Sequence, residues 1–542
     1  MDDRMSLQAP APDVMYGYQE AALRRSGGIP SWVIDDGKAT ESSLFYPFLT
    51  VHMQGHGLAS DGCMHRATNE CMIASSICVR MLDKLNQRLA VRQRGDTCIV
   101  VNSAAFSIAM NGAVARIYVT FAFDEERDHV YKVDSFVLEN PSHYRKFHRY
   151  IQSIIDWGKN ERLWEIRDAI ESRRRTIFMP EERMLLQTSD SWRTRGSKQE
   201  SANDSESYRH MIGYEMSRID DDETQLPHSD THQPQLHGNR PGGRASHSVL
   251  GRYDDCHALQ RHNILYLSFG DVAIQVPPVV RYIYESVMNQ ARDPGTTPER
   301  IRIDARLHDL EFGSSPVIKG YFKQLFTPPP SSRIQGVSDQ TMCYGVVPHL
   351  ESIEGPRPPT PAMLYGYALD VFSNVEKQQQ TLFEAEATRS CLYPFFTIDI
   401  QGDGPISTGS LWTAFNTCLA SSAGCVALFS KLERRVHQVT GPFSPELNNV
   451  AFSIAMSGTE ARLFVTYRMD EGVYGMYKAE SFLLQDPEGH IRFRKCVLNI
   501  IEWGQQRLVK IRDALRYLRT NDPNEAMRMN FRYPNYVGDD GV

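Results

Sequence analysis

The sequence predicts an α/β protein made of two tandem copies of one domain. Five blocks recur in the same order: "MYGY" (Met15 to Tyr18) as "LYGY" (Leu364 to Tyr367), "FYPFLTVHMQGHG" (Phe45 to Gly57) as "LYPFFTIDIQGDG" (Leu392 to Gly404), "AAFSIAMNGAVARIYVTF" as "VAFSIAMSGTEARLFVTY", "YKVDSFVLENP" as "YKAESFLLQDP", and "SIIDWGKNERLWEIRDAI" as "NIIEWGQQRLVKIRDAL". Each set alternates strand-like and helix-like patterning, and a polar stretch poor in aliphatics lies between the sets. A repeat of about 160 residues is a duplicated domain, since solenoid repeats run to about 20 to 50 residues.

Within each copy the elements follow one order. The "YPFLTVHM" and "YPFFTIDI" runs have the aromatic and β-branched enrichment of a core strand and end in Gly-containing turns. A helix comes next, with Cys71 and Cys78, and likewise Cys418 and Cys425, spaced to share one helix face. Two strands around an Asn-Gly or Ser-Gly turn read as a hairpin. A closing helix carries "IIDWG" or "IIEWG", with Trp157 and Trp503 as core anchors, and ends in a charged amphipathic tail.

The expected organisation is copy one over 1–180, truncated at its front; a disordered polar linker over 181–262; a helical front region of copy two over 263–346; copy two over 347–520; and a tail over 521–542. The linker is rich in Ser, Asp, Arg, His and Gly and cannot bury enough surface to offset its ordering entropy. Its histidines, His210, His228, His232, His237, His247, His257 and His262, are irregularly spaced and read as solvated linker. The front region is assigned as helical from "VVRYIYESVMNQ" and "PVIKGYFKQLF".

Composition narrows the class. With 542 residues, 41% apolar and 23% charged, each half can bury an ordinary core. The 10 cysteines form no C-x-x-C pair, so reduced thiols are expected rather than a disulfide framework or zinc ribbon. A net charge of −7 argues against coating nucleic acid by bulk positive charge, while leaving room for a local basic groove. The N-terminus lacks the basic and apolar regions of a secretory signal, and no apolar run reaches the roughly 18 residues that span a bilayer. The expectation is an intracellular protein, cytoplasmic or nuclear, with no membrane partner. A Walker loop, a G-x-S-x-G elbow and an H-E-x-x-H helix are all missing from the sequence.

The series P-D-x-x-Y-G-Y, Y-P-F, A-x-N-x-C, A-F-S-I-A-M-x-G, S-F-x-L and I-I-(D/E)-W-G resembles a fungal family of PD-(D/E)XK nuclease-like proteins, over Pro12 to about Arg173 and about Val347 to Arg519. The resemblance implies a mixed central sheet flanked by helices in each copy. It also implies an ancestral site in which the Asp of P-D and the acid of (D/E)-x-K hold Mg²⁺ while the Lys assists hydroxide attack on a phosphodiester.

Against that pattern both copies are incomplete. Copy one keeps Asp13 but reads His52-Met53-Gln54 for acid-x-Lys, and copy two reads Ala362 for the first acid and Asp399-Ile400-Gln401 for the strand. Asp13, Gln54, Asp399 and Gln401 are therefore the remnant catalytic positions, with Asp13 and Asp399 as weak metal ligands and His52 and Ala362 as degenerate positions. A Gln amide orients water but supplies no charge. Glu70 and Thr417, on the following helix, are candidates to face the cleft. His52 and His56 with Asp13 offer a transition-metal alternative. Basic clusters "HYRKFHRY", "ESRRR", "IRFRKC" and "RDALRYLR" either track phosphates or form solvated helix faces. The expected function is a catalytically impaired binding or scaffold module with nucleic acid as inherited ligand and no cofactor. The alternatives are a Mg²⁺-dependent nuclease and a protein-interaction accessory factor of a specialised fungal pathway.

Overall fold

The computed structural model describes residues 12–24, 29–39, 44–54, 64–90, 100–123, 127–178, 259–260, 263–267, 276–330, 332–343, 345–348, 358–402, 411–440, 447 and 449–522. The expected disordered linker, its histidines and the tail lie almost wholly outside these residues. Both copies belong to one compact unit.

In copy one, strands β1 (Val14–Gln19), β2 (Leu44–Met53), β3 (Ala105–Met110), β4 (Val114–Ala122) and β5 (Asp128–Val137) form a sheet in that order. The β2/β3 pair is parallel and the other neighbours are antiparallel, so the sheet is mixed. Helix α1 (Met64–Ala90) crosses between β2 and β3, as a parallel connection requires, and packs on both. The predicted β3–β4 hairpin is present, its turn closed by the Asn111 side chain accepting from the backbone N–H groups of Ala113 and Val114. The closing helix α2 (Pro141–Trp157) continues through a wide π-turn, Gly158–Arg162, into α3 (Leu163–Phe178).

The repeated blocks recur because they interlock. In copy one Tyr18 donates its hydroxyl to the Gly158 carbonyl at 2.7 Å, and in copy two Tyr367 does the same to Gly504 at 2.6 Å. A Cβ on Gly158 would overlap the Phe48 ring, and one on Gly504 the Phe395 ring. Gly17 and Gly366 likewise leave no room for a side chain where the "YGY" strand crosses the "YPF" backbone. The Tyr before each Pro, Tyr46 and Tyr393, holds φ near +43° and +42°, a conformation rare outside glycine, where the edge pairing slips register. Beside the Trp-Gly pair, Arg162 donates to the Ala104 carbonyl and Arg507 to the Val450 carbonyl at 2.7 Å, each guanidinium also lying over its Trp. Copy one has one residue more than copy two between this Gly and this Arg, and the π-turn absorbs it.

Copy two repeats this core and extends it. Strands β6 (Ile264–Leu267), β7 (Ile334–Ser338), β8 (Met363–Tyr367), β9 (Glu386–Thr388), β10 (Cys391–Ile400), β11 (Val450–Met456), β12 (Glu460–Asp470) and β13 (Val473–Leu483) form an eight-stranded sheet. Helices α4 (Leu411–Thr440) and α5 (Pro487–Asn521) correspond to α1 and to α2 with α3. The front region is not helical alone, as the sequence reading had it. It also supplies β6, parallel to β13, and β7, antiparallel to β8, so it flanks the sheet on both edges. These strands are only four and five residues long, too short for periodicity to reveal. Helix α4 corrects a second expectation, since over Leu411–Val439 it is long and apolar enough to cross a bilayer by composition. It is mostly buried as the core helix of its copy.

The copies meet at the β4–β5 end of one sheet and the matching end of the other. Ala113, Val114 and Val137 bury against Leu483, Lys132 donates to Gln485, and Lys478 pairs with Glu139. Lys132 and Lys478, like Glu139 and Gln485, occupy corresponding repeat positions, so the contact has an approximate two-fold character. Glu311, from the front region, breaks that symmetry. Its carboxylate accepts from Arg116 at 2.7 Å, Tyr118 at 2.9 Å and Lys132 at 2.7 Å, all of copy one. The strap carrying it, Leu310 to Ser315, runs tightly over Gly402 and Gly458 of copy two.

Four outcomes follow. Gly504→Ala should cost about 3 kcal/mol or more in urea denaturation, because the Phe395 ring cannot clear the new methyl in a close-packed core. Gly320→Ala, on a helix with open space at the Cβ, should instead stabilise by about 0.5 to 1 kcal/mol. Glu311→Ala should cost about 3 to 5 kcal/mol, because it removes the carboxylate shared by two enclosed cations. Burial alone would raise the Glu311 pKa, but Arg116 and Lys132 hold it at about 2, below its ordinary 4.5. Its contribution is therefore complete above pH 4.5 and lost as pH falls through 2, and Glu311→Gln should flatten the acid limb of the stability curve there.

Candidate functional site

The remnant positions gather at the same place in each copy, the end of the "YPF" strand nearest the P-D turn. On β2, His52 stands opposite Ala109 of β3, and on β10 Asp399 stands opposite Ala455 of β11. Helices α1 and α4 pack over these strands, which brings Glu70 and Thr417 to the site.

In copy one the Asp13 carboxylate accepts from the Met53 backbone N–H at 2.6 Å, which sets it one residue from Gln54. The Gln54 backbone N–H donates to Met110, extending the parallel pairing by one residue. His52 is buried, with Nδ1 3.2 Å from Glu70 Oε2. Burial lowers the His52 pKa below its ordinary 6.5, while Glu70 and Asp13 oppose that shift. The other Glu70 oxygen accepts from Arg66 at 3.1 Å. Glu70 is thus tied to the strand through His52. His56 lies outside the described residues.

Copy two mirrors this with its acid, Asp399, on β10 itself. Asp399 is 4% exposed. One oxygen accepts from the Ala362 backbone N–H at 3.1 Å and the other from the Gln401 side chain at 3.3 Å, while the neighbouring Thr417 hydroxyl donates to the Thr413 carbonyl at 3.1 Å. In both copies the single acid accepts from a backbone N–H of the adjoining segment, Met53 for Asp13 and Ala362 for Asp399. Burial nonetheless raises the Asp399 pKa to about 6, against an ordinary 3.8, since the hydrogen bonds led by Gln401 and Ala362 only partly offset the loss of water. Gly402, at the mouth, donates to the Ser315 hydroxyl at 3.0 Å, so the strap closes over this end.

Each acid is hydrogen-bonded within its own copy, and the described residues hold no group of three His, Cys, Asp or Glu side chains that converges as a metal site. The helix cysteines are buried free thiols, with burial pushing Cys71 and Cys78 up to about 12. Sequence reasoning missed the cationic group on the same sheet face. Arg116 sits in register with Ala109 and so in the row of His52, and Tyr118, two residues on, meets Thr68 of α1. Copy two has Arg462 at the same position, neutralised by Glu460 of its own strand, whereas copy one has Val114 there and takes Glu311 instead. An Arg retained within an apolar strand of both copies was the available signal.

The profile of one family, described as "Domain of unknown function (DUF7924)", matches residues 2–170 and again 333–515. A comparison with curated proteins finds no match.

Asp399 gives a pH test. Its folded pKa lies above its unfolded value, so the stability it lends is complete below about pH 3.8 and lost as pH rises through about 6. Asp399→Asn, which cannot ionise, should remove that decline and exceed the wild type by about 2 to 3 kcal/mol at pH 8, as measured by denaturation from pH 4 to 8.

Proposed function

The chain belongs to the DUF7924 family through two copies of its domain, and from that premise we propose that it is a degenerate nuclease-fold module that binds rather than cuts, with nucleic acid as its ligand class. The observation that carries this reading is the closure of Asp399, whose carboxylate is enclosed and committed to Ala362 and Gln401. Mg²⁺ takes octahedral oxygen ligands and is usually held by one or two carboxylates together with substrate phosphate. Each copy has one motif carboxylate, already engaged, and Gln54 and Gln401 supply no cation for the forming hydroxide or phosphorane.

A groove on α5 supports this reading. Arg333, Gln505, Leu508, Val509, Arg512, Asp513 and Arg516 line a groove of about 240 Å³. Arg512 and Arg516 share Glu376 at 3.3 and 3.4 Å, so three arginines face two carboxylates. This is the kind of local positive surface that an acidic chain can carry. The rival reading, a metal-dependent nuclease, has Asp399 and Gln401 as its working pair.

The purified chain should leave single- and double-stranded DNA and RNA intact with Mg²⁺ or Mn²⁺. It should bind them with an affinity that falls with salt at a log–log slope of about −2 to −3, each neutralised phosphate contributing about 0.9. Arg333→Ala and Arg516→Ala should each reduce the slope by about 1. Metal-dependent cleavage that disappears in Asp399→Ala would establish the nuclease, and absence of any salt-sensitive binding would remove nucleic acid as the ligand.

A further inference from the structure

Helix α1 carries a stripe that the rest of copy one leaves open. Glu70, Ile73, Ile77, Arg80 and Lys84 follow one another at alternating steps of three and four, which places them along one line of the helix. Ile73 and Ile77 are 38% and 47% exposed, and with Met72 and Met81 they floor a shallow groove of about 540 Å³. The matching face of α4 in copy two is built differently. It has Ala420, Ala423, Gly424 and Ala427, and Met342, Val346 and Val347 lie directly over Gly424. Where the chain covers the face itself the residues are small, and where the described chain does not, they are isoleucines.

We propose that this stripe docks on the same stripe of a second copy of the chain, the two α1 helices packing antiparallel about a two-fold axis at Ile77. The charge pattern selects this occupant. Glu70 lies seven residues before Ile77 and Lys84 seven after it, so the antiparallel pair sets Glu70 against Lys84 at both ends, Ile73 against Met81, and Ile77 against itself. A parallel pair would set lysine on lysine and glutamate on glutamate. Glu70 is 35% exposed and, as a carboxylate, can accept further hydrogen bonds beyond those from Arg66 and His52. Arg80 is held at the flank by Asp128 and Asp83 and lines the groove through its stem. The helix length from Glu70 to Lys84 is about 21 Å, a small contact, so the association is of micromolar rather than nanomolar strength.

Sedimentation velocity on the full chain from about 1 to 100 µM tests this, a range that spans micromolar affinity. The wild type should pass from monomer to dimer with concentration. Ile77→Lys, which sets two cations on the axis at a half-exposed position, should weaken the dimer at least tenfold. Lys84→Glu should weaken it severalfold and reverse its salt sensitivity, because the glutamates then opposed repel and salt screens that repulsion. Circular dichroism on both variants checks the fold, and Lys84→Glu alone decides should Ile77→Lys not fold. A wild type that stays monomeric, or a dimer that Ile77→Lys leaves unchanged, overturns the proposal. A dimer that survives Lys84→Glu with the same affinity and salt dependence overturns the antiparallel register.

Discussion

Everything else in each copy is positioned by a single close contact, the ring of Phe48 or Phe395 lying where the side chain of Gly158 or Gly504 would be. That contact pins the closing helix to β2 or β10, and the hydroxyl of Tyr18 or Tyr367 ties the same glycine to the neighbouring strand, β1 or β8. Three elements far apart in sequence are thereby fixed at one point. The left-handed Tyr46 and Tyr393 are tolerated because this lock over-determines the backbone around them. The end of the strand beyond the lock, where His52 or Asp399 sits, inherits its position from it.

Given that frame, the single carboxylate at this end of each copy is placed by hydrogen bonds from the neighbouring backbone. A carboxylate left alone in an enclosed place must find donors or leave. In copy two the buried Asp399 takes the Ala362 amide and the Gln401 side chain, whereas Asp13 of copy one is exposed and its bond to the Met53 amide answers no such demand. The same logic governs the junction, where the Arg retained by both copies needs a carboxylate and finds it by two routes, Glu460 from its own strand and Glu311 from the strap.

Much of this was legible in the sequence, and the remainder was hidden for definable reasons. Repetition exposed the mixed α/β copies and the strand that holds His52, Met53 and Gln54 against Asp399, Ile400 and Gln401. It did not say why the blocks recur, because the fit of Phe395 to Gly504 spans more than a hundred residues. Glu70 read as a cleft candidate, but its bond to His52 depends on how α1 lies over β2. The Arg116–Glu311 pair joins positions 195 apart, beyond any local pattern. Strands β6 and β7 were missed because their pairing partners define them more than their few residues do.

The π-turn after Trp157 shows what duplication allows. An added residue in a regular helix rotates everything downstream by about 100° and would turn a buried face toward solvent. Here the widened turn cancels that rotation, and Ile166 and Ile170 bury as Ile511 and Leu515 do in the copy without it. Copy one thus carries a length mutation inside a core helix that is silent to the packing beyond it. The two halves preserve, within a single polypeptide, the same helix before and after such an event.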